Sequence, residues 1–164
     1  MTQTALITGG SGGIGRACAL ALAPTHDIAV QYYQNETAAT EITSQITTEY
    51  ECDAAAFQCD VADPDSVRGL VEKTEQKFES VNVLVNNAGV FLQRCLEQMS
   101  RKEIDHTLET NLRGAIYCSR EVLSAMCRRQ RGHIISVAST AGTRGSGTDP
   151  VYSASKGGLI AFTK

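Results

Sequence analysis

At 164 residues, with 42% hydrophobic and 20% charged side chains, the chain has the length and balance of a soluble domain with one sizeable core. A formal net charge of -3 gives no reason to expect nucleic acid or an anionic membrane as a partner. No apolar run approaches the roughly 18 residues needed to span a bilayer. Taken in chain order, Leu6-Ile7 within Thr4 to Thr8 reads as a strand leading into a glycine-rich turn. Ile14 to Ala23 reads as a helix stopped by Pro24, and Ile28-Ala29-Val30 as a second strand. Asn35 is placed to cap a helix running to Tyr50, with Glu36 in its first turn, and Ala54 to Cys59 reads as a third strand. Asp63-Pro64 is a cap followed by proline at the first helical position, which predicts a helix to about Phe78. Val81 to Val85 is apolar at four of five places and fits a strand covered on both faces. The pattern Ser100-Arg101-Lys102-Glu103 is a capping box, predicting one long helix to about Arg129, ended by Gly132. His133 to Ser139 reads as a fifth strand, and Asp149-Pro150 as the cap of a last helix.

Strands alternating with helices of this length predict an α/β fold: a doubly wound Rossmann-type parallel sheet of about five strands, with residues 1–164 forming one dinucleotide-binding domain. Such sheets bind ligands at the carboxyl ends of their strands. The glycine turn, Asp60, the run Asn86 to Gly89, and Ser139 all fall at ends of that kind.

Five of the seven residues from Gly9 to Gly15 are glycine. A strand must turn sharply into a helix there while the backbone closely approaches a pyrophosphate, and a Cβ would obstruct both. The helix that follows presents free N–H groups and the positive end of its dipole. The spacing is G-x-x-x-G-x-G, not the G-x-G-x-x-G of many dinucleotide binders. An acid at the end of the second strand would bind a ribose 2′-hydroxyl. Here Val30-Gln31-Tyr32-Tyr33-Gln34-Asn35 holds none before Glu36, and Arg16 is the nearest basic residue, so NADP(H) is favoured over NAD(H).

Near the other end, Tyr152 and Lys156 stand four residues apart and so share a helix face. An ammonium beside a phenol favours the phenolate, which makes the phenol a usable proton donor. Ser139, thirteen residues before Tyr152, can hold a substrate carbonyl oxygen through its hydroxyl. The three histidines, His26, His106 and His133, carry no readable signal. The six cysteines form no C-x-x-C pair and read as reduced thiols in apolar surroundings. The start, Met1-Thr2-Gln3-Thr4, lacks a basic and apolar leader, so a cytoplasmic location is expected.

With these pieces in order, the chain resembles a short-chain dehydrogenase/reductase. The matching residues are Thr8-Gly9-x-x-x-Gly13-Ile14-Gly15, Cys59-Asp60-Val61, Asn86-Asn87-Ala88-Gly89, Asn111, Ile134 to Gly142 with Ser139, and Tyr152-x-x-x-Lys156. The resemblance implies a catalytic tetrad of Asn111, Ser139, Tyr152 and Lys156, with Tyr152 the acid/base and Asn111 supporting a relay water. It implies cofactor contacts from Thr8, Gly9, Ser11, Gly13, Ile14 and Gly15. Further contacts would come from Asp60 and Val61, from Asn87, Ala88 and Gly89, and from Tyr152 and Lys156. The implied activity is NAD(P)(H)-dependent interconversion of a ketone and a secondary alcohol. Within the family the chain is similar to 3-oxoacyl-acyl-carrier-protein reductases, which implies an acyl thioester on a carrier protein as one substrate. Arg128-Arg129-x-Arg131 could dock such an acidic partner, although cations also suit a helix C-terminus. Family members form homo-oligomers and continue beyond the last helix with two more strands and a lid. A chain ending at Lys164 is expected to lack those strands and to expose the fifth strand as an edge, so the alternative to an active oxidoreductase is an inactive nucleotide-binding remnant or a fragment of a longer enzyme.

Overall fold

The computed structural model describes residues 2–164. Five parallel strands form one sheet in the order β3-β2-β1-β4-β5. They are β1 (Gln3–Ile7), β2 (His26–Tyr32), β3 (Ala54–Gln58), β4 (Val83–Asn86) and β5 (His133–Ser136). The chain builds outward from β1 through β2 to β3, then returns to the other side of β1 with β4 and β5. The switch point therefore lies between β1 and β4, whose register pairs Ile7 with Val85.

The strands read as near-continuous apolar runs because helices cover both faces of the sheet. Alternation splits them into two cores. Ala5, Ile7, Ile28, Val30, Val83 and Val85 pack with residues of α1 (Gly13–Leu22) and α2 (Glu36–Glu49), among them Ala19, Ile42 and Ile46. Leu6, Ala29 and Leu84 point the other way, to Val67, Leu70 and Val71 of α3 (Pro64–Phe78) and to Cys118, Val122 and Met126 of α5 (Gly114–Arg129). No helix among the described residues is long and apolar enough to cross a membrane.

Local signals account for most element starts. Asn35 caps α2 by accepting from the Ala38 amide at 3.1 Å. Asp63 caps α3 by accepting from Asp65 N, with Pro64 in the first turn. The capping box is formed in full, with Ser100 Oγ accepting from Glu103 N and Glu103 accepting from Ser100 N at 2.8 Å. The long helix from Ser100 to Arg129 is continuous, with a π turn (Glu109–Arg113) set between α4 (Arg101–Leu108) and α5. Two expectations need correction. β5 ends at Ser136, because the chain must turn away to form a short helix, α6 (Ala141–Arg144), that the sequence reading lacked. Asp149 precedes α7 (Pro150–Thr163) but makes no cap bond, since its carboxylate accepts from the Ser146 and Thr148 hydroxyls.

Candidate active site

Two clamps fix the glycine turn after β1. On the β4 side the Thr8 hydroxyl donates to the Val85 carbonyl at 3.2 Å and accepts from the amides of Asn87 and Ala88, both at 3.0 Å. The Asn87 carboxamide donates to the carbonyls of Thr8 (2.9 Å) and Gly9 (3.0 Å). Thr8 and Asn87 thus lock the ends of β1 and β4 together at the switch point. On the β2 side Gly9 N donates to Gln31 Oε1 at 2.7 Å and Gly10 N donates to the Gln31 carbonyl at 3.0 Å.

Gly15 explains why the turn needs glycine. A Cβ there would stand 2.3 Å from the Gly9 carbonyl oxygen and 2.5 Å from Asn87 Nδ2, closer than atoms can pack. The α1 N-cap, Gly12, is extended and has no side chain to cap with, so the first-turn amides of α1 receive no side-chain cap.

A cleft of about 420 Å³ opens beside this turn. Gly9, Ser11, Asp60, Val61, Ala88 and Gly89 all border it. The Asp60 carboxylate accepts from Ala62 N at 2.9 Å, while Ser66 Oγ accepts from Asp60 N at 3.1 Å, so the corner after β3 is rigid. On the far wall, burial first and the Glu36 carboxylate second push the Tyr32 phenol above its ordinary value. Arg16 is exposed, and its guanidinium donates to Gln45 on α2.

A second, smaller recess of about 160 Å³ shares Gly89 and Val90 with the cleft and brings Ile14, Asn87, Tyr152 and Lys156 together. Lys156 is only 5% exposed. Its ammonium donates to the Val137 carbonyl at 2.7 Å and lies 5.9 Å from the Tyr152 ring centre. Burial lowers the lysine below its ordinary value. The Tyr152 ring meets Phe91 edge-to-face, with centres 4.9 Å apart. Phe91 is 58% exposed, a large apolar side chain at the mouth of the recess.

Asn111 sits in the π turn, buried, with both ends of its amide engaged. Oδ1 accepts from Val90 N at 2.7 Å; Nδ2 donates to the Val90 carbonyl at 2.9 Å and to Ser155 Oγ at 3.2 Å. π turns inside helices recur at functional sites because the extra residue re-aims a side chain. Here the re-aimed residue joins the segment after β4 to α7. Ser139 lies on the turn after β5, next to Ala138, which lines the small recess. Its oxygen accepts from Ala141 N at 3.2 Å, which leaves the hydroxyl proton free to donate.

Sequence reasoning missed Gln31, Phe91 and the Val137 carbonyl. The signal for Gln31 was present as a polar residue interrupting the apolar β2 run. Asn86, which opens the Asn86 to Gly89 run, turns its carboxamide into the core, where Nδ2 donates to Ser119 Oγ at 3.0 Å.

Comparison with known proteins agrees with this geometry. The chain is 40% identical over 163 residues to a 3-oxoacyl-[acyl-carrier-protein] reductase of Synechocystis sp., covering 99% of this chain and 66% of that protein. It is 37% identical over 163 residues to the Escherichia coli 3-oxoacyl-[acyl-carrier-protein] reductase FabG, covering 99% and 65%. The chain spans about two thirds of the length of the curated relatives it matches. A crystal structure of a short chain dehydrogenase from Burkholderia cenocepacia in complex with NADP superposes with a TM-score of 0.89 at 35% identity, covering 98% of this chain and 65% of that one. The family model for short chain dehydrogenases matches residues 3–164, and the chain belongs to that family.

Proposed function

We propose that this chain carries the cofactor cleft and proton donor of an NAD(P)(H)-dependent oxidoreductase that interconverts a ketone and a secondary alcohol. The observation that carries the reading is the joining of two recesses at Gly89 and Val90, one beside the glycine turn and one beside Tyr152 and Lys156. A dinucleotide laid across Gly89 would reach from the Asp60 corner to the tyrosine.

The residues present fit such a cofactor. The uncapped amides at the start of α1 suit a pyrophosphate. Asp60 and Val61 would meet the adenine, and Ile14, Asn87 and Lys156 would border the nicotinamide end. The nicotinamide, when bound, supplies or takes up the hydride. In the reducing direction the Tyr152 hydroxyl gives its proton to the carbonyl oxygen as that oxygen gains negative charge. The Lys156 ammonium lies 5.9 Å from the centre of the Tyr152 ring. Ser139 holds the same oxygen by donating from its free hydroxyl proton. Asn111 braces the floor at Val90 against α7. A relay water there would meet the Asn111 backbone, because its side chain is fully engaged.

NADP(H) is favoured over NAD(H). The solved relative is a complex with NADP. Arg16 is drawn by Gln45 towards α2, the helix that follows the strand end where a ribose 2′-phosphate would lie. The substrate class follows from the relatives: a 3-oxoacyl thioester on a carrier protein, with the Arg128-Arg129-x-Arg131 run as a docking surface for it.

The test is to follow reduced-nicotinamide absorbance with a 3-oxoacyl thioester, supplying NADPH or NADH in parallel. The expected result is oxidation faster with NADPH and slowed about 10²- to 10⁴-fold by Tyr152→Phe, the range of a lost general acid. Binding of neither nucleotide, or a rate indifferent to Tyr152→Phe, would overturn the assignment.

A further inference from the structure

Gln31 is 2% exposed on β2, the strand between β1 and β3. Its carboxamide reaches sideways to both neighbours. Oε1 accepts from Gly9 N at 2.7 Å, at the start of the glycine turn, and Nε2 donates to the Cys59 carbonyl at 2.6 Å, at the corner after β3. Its backbone carbonyl takes Gly10 N at 3.0 Å as well. The Thr8 and Asn87 bonds hold the turn only from the β4 side. Without Gln31 no side chain among the bonds described ties the turn to the strands on its other flank. The same residue borders the large cleft between the turn and Asp60.

Building on the nucleotide-binding reading above, we infer that Gln31 is a positioning residue for cofactor binding: it sets the spacing between the turn that grips the pyrophosphate and the Cys59-Asp60 corner that meets the adenine. The chemistry of the position is narrow. One acceptor and one donor must be offered at the same time, from one side chain that is itself 2% exposed. A neutral carboxamide does this. A hydrocarbon leaves Gly9 N–H and the Cys59 carbonyl unpaired, and an ionised carboxylate satisfies the first while repelling the second. A protonated carboxylic acid has the same acceptor-and-donor pair as the carboxamide, and burial favours that form.

Gln31→Leu and Gln31→Glu therefore separate positioning from mere bulk. NADPH dissociation constants would be measured by fluorescence for both variants and the wild type, each shown to be folded by circular dichroism. Measurements at about pH 8.5 and about pH 6, expressed as variant-to-wild-type ratios, remove titration of Asp60, Tyr32, Tyr33 and His106, which line the same cleft. At the higher pH Gln31→Glu should bind about tenfold more weakly, the scale of one buried hydrogen bond lost, and Gln31→Leu, which loses both bonds, at least as weakly. Gln31→Glu should recover most of that loss at the lower pH, and Gln31→Leu should not. If Gln31→Leu does not fold, the recovery of Gln31→Glu carries the test alone. Binding within twofold of wild type for folded Gln31→Leu, or a Gln31→Glu deficit equal at both pH values, would overturn the role of Gln31. A wild type that binds no nicotinamide nucleotide would instead overturn the reading on which that role rests.

Discussion

Lys156 sets burial against charge. Its ammonium is nearly enclosed, with the Val137 carbonyl at 2.7 Å as its protein partner. Burial lowers it from the ordinary lysine value of 10.5, so the folded chain gives up that proton more readily than the unfolded chain does. Between the folded and the ordinary value the unfolded state binds more protons, so stability rises with pH through that window. The stabilising contribution is complete above 10.5 and is lost as pH falls through the folded value. Denaturant unfolding of the wild type and of Lys156→Met, at about pH 7 and about pH 10, should show the wild type gaining on the variant as pH rises. A stability difference that does not shift in favour of the wild type as pH rises would show that this ammonium is effectively solvated. The pairing of Tyr152 with Lys156 was legible in the sequence because four residues is one helical turn. The role of Gln31 was not, because its partners lie 22 and 28 residues away and meet it only once the sheet has formed. Asn111 falls between these cases. Its position follows from family resemblance, but its bonds to Val90 and Ser155 depend on a π turn that no local pattern announces.

The element starts that could be read in advance are those decided within four residues. Asn35, Asp63 and Ser100 each satisfy a first-turn amide of the helix they precede. Asp149 has the same sequence signature and does not, because hydroxyls on the loop before it compete for the carboxylate. α6 was invisible for a different reason. Four residues carry no readable period, and its place is set by a close approach to α7. Gly142 is the contact point: a Cβ there would meet the Lys156 carbonyl carbon at 2.6 Å and Gly157 N at 2.8 Å. Neither is the end of a flexible side chain, so the helices would have to separate. Gly142→Ala should cost about 1–3 kcal/mol of stability, as overpacking does. Because it displaces the backbone that carries Lys156, it should also lower turnover and weaken nucleotide affinity. Urea unfolding together with steady-state kinetics checks this, and unchanged stability would mean that α6 and α7 slide apart at no cost.

Across the whole molecule, the sheet divides the interior into two cores, and the cysteines report on them. Cys59 from the end of β3 and Cys118 from α5 belong to the same core, with α3 between the sheet and solvent on that face. Burial pushes the Cys118 thiol up to about 12. Burial also raises Cys59, more than the Ser66 hydrogen bond lowers it. Cys127, by contrast, is exposed near the end of α5. Thiolate, not thiol, is the reactive species, so both access and proton affinity protect the buried pair. Alkylation of the native protein near pH 8, followed by mass spectrometry of the peptides, should modify Cys127 first. Cys59 and Cys118 should be modified last, and at one common rate, because exposing either requires lifting α3 and α5 from Leu6, Ala29 and Leu84 together. Denaturant well below the unfolding midpoint should not separate the two rates. If Cys118 became labelled while Cys59 stayed protected, α5 would open as a unit of its own. The π turn that precedes it, with Asn111 at its centre, would then be a hinge between the nucleotide cleft and the Tyr152 helix.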